Sequence, residues 1–206
     1  MGKILGLVLF LLLILTGCSK NVKPNKDIRG DRNTTTITTT TSGAIIDDTL
    51  FDWQQNDEIL QEGRAAKIVV VKSKRVLVLF DENGEVLSRH RISLGKNPVG
   101  TKLKEGDYKT PEGIYSIVDI RTDPKYYKEI LISYPNEEDR RRSRELGFNP
   151  GGGITFHAQV PWNWDGHGDD YTLEHDWTIG CIAMTNRGMD DVWSRVDKNT
   201  VVEIRE

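Results

Sequence analysis

Two cysteines occur in the chain, and Cys181 stands in the run Asp176-Trp177-Thr178-Ile179-Gly180-Cys181-Ile182-Ala183. Three histidines, His157, His167 and His175, lie within the 24 residues before it. A thiol becomes a useful nucleophile when a neighbour lowers its pKa or takes its proton, and an imidazole does either near neutral pH. His157 ends the apolar run Ile154-Thr155-Phe156-His157, and Cys181 opens another, Cys181-Ile182-Ala183-Met184. Two adjacent strands ending at one rim would set both side chains around a cleft walled by residues 158–176. Gly180 leaves room for a substrate carbonyl beside the thiol, and backbone N–H groups near Gly180 and Cys181 could form an oxyanion hole.

Blander readings compete. Free cysteine is among the most buried residue types, so Cys181 could be an inert core residue. His157, His167, His175, Asp176 and Cys181 could ligate zinc, but no close pair has the C-x₂₋₄-C or H-x₃₋₅-H spacing of structural sites. His167, flanked by Gly166 and Gly168, reads as a solvated loop residue. His175, six residues before Cys181, could orient the site or line the cleft.

The elements that must position these residues are mainly strands. Lys67–Val71 and Arg75–Phe80 are aliphatic runs separated by Lys72-Ser73-Lys74, a hairpin pattern. Asn83-Gly84 suits the positive φ of a tight turn, and Val86–Leu94 follows as a third strand. Gly113–Ile120, Ile130–Ser133, Ile154–His157 and Val201–Ile204 are further strands. Asn136 caps a helix running to Leu146, with acids in its first turn and Gly147 beyond its end. The basic run Arg140–Arg142 with Arg144 reads as its solvated face. Thr185 or Asn186 opens a last helix through Val196. No βαβ alternation or internal repeat is expected, so the fold class is mainly β with two or three short helices.

The 206 residues suffice for one ordinary domain with appendages, and a net charge of −3 gives no sign of a nucleic-acid partner. Residues 1–17 read as an export signal: a short basic start, an apolar run Ile4–Leu15, then Leu15-Thr16-Gly17-Cys18. That run falls short of the roughly 20 residues a membrane-spanning helix needs. The last four residues resemble a bacterial lipobox, which implies acylation of Cys18 and leaves Cys181 unpaired. Residues 18–43 are polar and threonine-rich, the composition of a flexible tether. Residues 44–65 carry spaced apolar residues that suit a short amphipathic helix, and residues 66–206 hold the domain.

Several separated motifs then resemble a known family. Glu105-Gly106-Asp107-Tyr108-Lys109-Thr110-Pro111-Glu112-Gly113-Ile114-Tyr115 is similar to the G-D-x-x-T-P-E-G-x-Y segment of L,D-transpeptidase catalytic domains of the YkuD type. Ser133-Tyr134-Pro135-Asn136, Ile154–His157 and Asp176-Trp177-Thr178-x-Gly180-Cys181-Ile182-Ala183-x-Thr185-Asn186 resemble its YafK-like branch. The resemblance covers roughly residues 67–206. It departs at Ile179, where the family often has histidine, at Ala183 (often arginine) and at Ala158 (often glycine).

The resemblance implies a β-sandwich-like fold, Cys181 as nucleophile and His157 as proton acceptor and donor. Thr178 and Gly180 fill the small-polar and glycine positions, and His175 has a supporting place. It further implies peptidoglycan stem peptides as substrate, with no metal and no organic cofactor. The thioester formed on the stem would pass to an amine or, in an L,D-specific hydrolase or amidase, to water. A non-catalytic murein-binding lipoprotein is the reading from another class. The setting expected is the bacterial cell envelope, outside the cytoplasm, with a lipid anchor in the membrane. A spacer of ~45 residues spans about 35–40 Å r.m.s. and would let the domain reach murein. Thr110-Pro111-Glu112-Gly113 reads as a rigid turn feeding the next strand.

Overall fold

The computed structural model describes residues 48–55, 57–159 and 168–206. The lipobox, the tether and His167 lie outside them. Among the described residues no helix is long and apolar enough to cross a membrane. Nine strands form the frame: β1 (Asp57–Ile59), β2 (Lys67–Val71), β3 (Val76–Phe80), β4 (Val86–Arg91), β5 (Gly113–Asp123), β6 (Tyr127–Ile132), β7 (Thr155–His157), β8 (Ile182–Ala183) and β9 (Val201–Arg205). With them are α1 (Glu137–Glu145), α2 (Asp169–Glu174) and α3 (Asn186–Arg195). The described residues are thus mainly β with three short helices, as expected.

The strands run in the order β1-β4-β3-β2-β9-β5-β6-β7-β8. The long strand β5 serves two neighbours: its first half pairs with β9, and its second half pairs with β6 from Ile117 onward, through an irregularity between Ile117 and Asp119. Such a bulge bends a strand and raises its twist. The far end of the sheet then returns to β4, because Ser93, just past that strand, bridges Ala183 of β8 through N–H···O bonds of 2.8 and 2.9 Å. The sheet therefore folds over a shared interior, which gives the sandwich-like arrangement.

The β2–β3 hairpin pairs Lys67 with Phe80 through Val71 with Val76, and both of its faces are covered. Ile68, Val70, Leu77 and Leu79 enter the main core, whereas Val69, Val71, Val76, Val78 and Phe80 pack with Phe51 on the other side. Burial on both faces explains why these runs are continuously aliphatic rather than alternating.

Among the described residues of 44–65 the expected short amphipathic helix is not present. A 3-10 turn, Asp48–Phe51, and strand β1 stand there instead. The edge of β4 needs a hydrogen-bonding partner and β1 supplies it, pairing Asp57 with His90. Phe51, 1% exposed, covers the hairpin's outer face from a turn that a continuous helix would displace. Two further departures concern the segment before Cys181. It contains α2, and β7 and β8 are parallel, a strand–helix–strand crossover where no βαβ alternation was expected. Parallel neighbours require a connection of a dozen residues or more, which accounts for the long interval between His157 and Cys181.

Both other helices start as their sequences dictate. Asn136 and Asp139 form a reciprocal capping box on α1, and Thr185 accepts from Gly188 N–H at the start of α3. Beneath α3, fully buried His90 is held between Asp57 of β1 (2.7 Å) and Asp191 of α3 (2.9 Å), with Ser88 of its own strand at 3.1 Å. Burial alone would push its pKa down; hydrogen bonds and charges from Asp191 and Asp57 outweigh that and raise it. A raised histidine contributes stability that is complete below the unfolded value, about 6.5, and is lost as pH climbs through the folded value. The midpoint of urea unfolding should therefore fall with rising pH above 6.5 more steeply in the natural protein than in His90→Gln. Equal slopes would remove His90 as the cause.

Candidate active site

The pleat of β7 and β8 sorts their residues. Ile154, Phe156, Ile182 and Met184 face the main core. Successive side chains alternate across a strand, so Thr155, His157, Cys181 and Ala183 share the opposite face. The parallel register, Phe156 to Ile182 and His157 to Ala183, sets Thr155 beside Cys181. The Thr155 hydroxyl lies 3.6 Å from Cys181 Sγ as a donor, and the thiol lies 3.7 Å from the carbonyl oxygen of Gly153. Cys181 is a free, half-buried cysteine that lines a cavity of about 310 Å³. It is not sealed in the core.

His157 is 3% exposed, and its ring rests between Tyr126, at 4.4 Å between centroids, and Trp177, at 5.5 Å. Its Nδ1–H donates to the Ala158 carbonyl at 2.8 Å. A carbonyl only accepts, so this bond puts the proton on Nδ1 and the lone pair on Nε2. Burial pushes the pKa down to about 4, against weaker upward pulls from the Ala158 carbonyl and Asp123. The ring is therefore neutral near pH 7. Its Nε2 is able to accept a proton, although no hydrogen bond joins the ring to Sγ.

The turn before the thiol is braced from three sides. Thr178 Oγ1 accepts from Gly180 N–H at 3.1 Å while its hydroxyl donates to Cys181 O at 2.7 Å. Thr178 N–H reaches Leu94 O at 3.1 Å, and Thr178 O accepts from Lys96 N–H at 3.0 Å. Asp176 takes Arg75 through two guanidinium nitrogens and Leu94 N–H at 2.9 Å. With Gly180 N–H engaged by Thr178, the Ile179 and Cys181 N–H groups of this turn meet no acceptor among the described residues, and Cys181 N–H is the one on the nucleophile itself.

The structure thus brings Thr178 and Gly180 to the thiol as supports and leaves His175 away from it. His175 is exposed, close to Tyr171 and Glu174. Asp176 is committed to Arg75, and among the described residues no group of three or more His, Cys, Asp or Glu side chains could hold a metal. The Gly106–Gly113 segment lends Gly106 and Tyr108 to the cavity wall and is otherwise scaffold. Asp107 accepts from the N–H groups of Leu103, Lys104 and Lys109 and pairs with Lys102 at 2.8 Å, while Thr110 Oγ1 accepts from Gly95 N–H. Thr155, Tyr126 and Arg75 were not among the sequence candidates. Thr155 was within reach of strand alternation, two residues before His157, whereas Arg75 lies 101 residues from Asp176 with no local signal.

The L,D-transpeptidase catalytic domain model matches residues 65–204. The chain belongs to this family. YafK of Escherichia coli strain K12 is 32% identical over 139 residues, 65% of this chain and 48% of that protein. The cell-shape-determining protein Pgp2 from Campylobacter jejuni is 25% identical, with TM-score 0.53, over 70% of this chain and 49% of that one. Bd1075 of Bdellovibrio bacteriovorus is 25% identical, with TM-score 0.50, over 75% of this chain and 52% of that one. The chain spans about half the length of the relatives it matches.

Family membership makes the turn's geometry the point to test. Gly180 has φ of +141°, and a Cβ there would sit 2.8 Å from the Lys109 carbonyl oxygen. Gly180→Ala should cost about 1–3 kcal/mol in urea unfolding, the usual scale of such backbone strain. An unchanged midpoint would show that the turn tolerates a side chain.

Proposed function

We propose that this domain is a cysteine acyltransferase of the L,D-transpeptidase type acting on peptidoglycan stem peptides. Cys181 serves as nucleophile and His157 as general base and acid. The observation that carries this reading is the shared face of the β7–β8 pair, where an accessible thiol and a buried neutral imidazole stand on neighbouring strands, two residues apart in register. Family membership supplies the substrate class.

In the proposed reaction, Sγ attacks the carbonyl of the bond between the L-centre of the diamino acid and D-alanine, and the thiol proton passes to Nε2 of His157. The resting chain has no Sγ–imidazole hydrogen bond, so substrate binding must tighten that approach, as occurs in many unliganded sites. Cys181 N–H receives the developing oxyanion. The carbon–nitrogen bond then breaks, His157 returns its proton to the departing amine, and a thioester remains on Cys181. An acceptor amine or water attacks it, loses a proton to Nε2 and frees the thiol. The Thr155 hydroxyl, donating towards sulfur, helps hold the thiol in place along this path.

The same reading sets the domain in the cell envelope, tethered through acylated Cys18 and the threonine-rich segment. The likeness to Pgp2 supports a part in shaping the cell wall.

Chromatography of products from defined disaccharide tetrapeptides tests this reading. Transfer gives a new 3→3 linkage, hydrolysis gives free peptides, and Cys181→Ala should give neither. His157→Ala should slow thioester formation by about 10²–10⁴-fold, the usual loss for a general base. An undiminished rate would take that role from His157, and turnover by Cys181→Ala would end the proposal.

A further inference from the structure

The cavity that receives Cys181 has an uneven charge balance. Two of its lining residues carry full charges, Lys102 and Glu105. Lys102 is 5% exposed and spends its ammonium on Asp107 Oδ1 at 2.8 Å and on the Lys104 carbonyl at 3.1 Å. Its charge is cancelled within the wall. Glu105 is exposed and meets no cation among the described residues; its carboxylate accepts one hydrogen bond, from the Asn149 side-chain amide at 3.2 Å. Its backbone N–H donates to Asn149 O at 2.8 Å, so the residue is tied down at both ends. The cavity therefore offers one held, uncompensated negative charge.

Its place relative to the thiol is set by the glycine wall. A Cβ on Gly151 would lie 3.2 Å from Glu105 Cβ, and Gly153 O lies 3.7 Å from Cys181 Sγ. Two Cα steps separate Gly151 from Gly153, at most about 7 Å. In a diamino acid, the distal nitrogen stands roughly 6–7 Å from its own carbonyl carbon when the side chain is extended. A donor whose carbonyl meets Sγ can thus run its side chain along Gly151–Gly153, where no side chain intrudes, and end at Glu105.

Resting on the reading above, we propose that Glu105 is a specificity-determining residue: it binds the distal ammonium of the donor's diamino acid and selects stems in which that amine is free. An amine already acylated in a cross-link carries no charge and forfeits this interaction, so the enzyme takes its donors from uncross-linked stems. A charge-assisted hydrogen bond at the edge of a cavity is on the scale of a tenfold preference.

The test uses two soluble tetrapeptide donors that differ only in N-acetylation of the distal amine. The rate of Cys181 thioester formation is followed by mass spectrometry. The natural protein should prefer the free amine by about tenfold. Glu105→Gln should bring that ratio to about one, and Glu105→Lys should invert it. A ratio near one in the natural protein, or one that Glu105→Gln leaves unaltered, overturns the assignment. Equilibrium binding of the same two peptides to Cys181→Ala separates this claim from the chemistry. If neither donor acylates Cys181 yet the free amine still binds more tightly in a Glu105-dependent way, the acyltransferase reading fails and the role of Glu105 stands. Equal binding there overturns it.

Discussion

Two backbones crossing at Gly95 and Gly180 hold the rest of the site in place. A Cβ on Gly95 would lie 2.1 Å from the Tyr108 carbonyl oxygen and 3.1 Å from Gly180 Cα. The chain leaving β4 can reach β8 only because neither glycine carries a side chain. Once there, it pairs Ser93 with Ala183 and Gly95 with Thr178, on either side of the cysteine. Closing the sheet and aiming the thiol are consequently one event. The Gly106–Gly113 segment meets this crossing, with Thr110 fixed on Gly95 N–H, and its Gly106 and Tyr108 line the cavity that Cys181 opens into.

The electrostatics of His157 follow from the same packing. Tyr126 and Trp177 exclude water from the ring, and that burial rather than any neighbouring charge sets its protonation. A ring kept neutral is ready to accept a proton near pH 7. Its affinity for that proton is weak, so in the proposed reaction transfer from sulfur is coupled to attack on the carbonyl. The tautomer is fixed by a backbone carbonyl rather than by a carboxylate, so the ring has an orienting partner that carries no full negative charge.

Much of this was legible in the chain. The aliphatic runs of β2, β3 and β9 could bury themselves only as strands, and Asn136 and Thr185 announced the helices they cap. Cys181 and His157 stood out because each heads or ends an apolar run. What escaped was set by distant partners. Residues 44–65 have helical spacing, yet Asp57 gains hydrogen bonds to His90 and Thr185 that a helix could not provide. Nearness along the chain suggested His175, but the end of α2 leaves it exposed to solvent. Arg75, in the first hairpin, anchors Asp176 near the thiol, a pairing no local pattern reveals.

The central claim, an accessible thiol that becomes covalently acylated, is tested most directly by the intact mass of the domain after mixing with a murein tetrapeptide. The account predicts a gain equal to the mass of the tetrapeptide less that of one free D-alanine, mapped to the Cys181 fragment. Complete absence of a covalent species under conditions where peptide is turned over, or its appearance on any other residue, would contradict it.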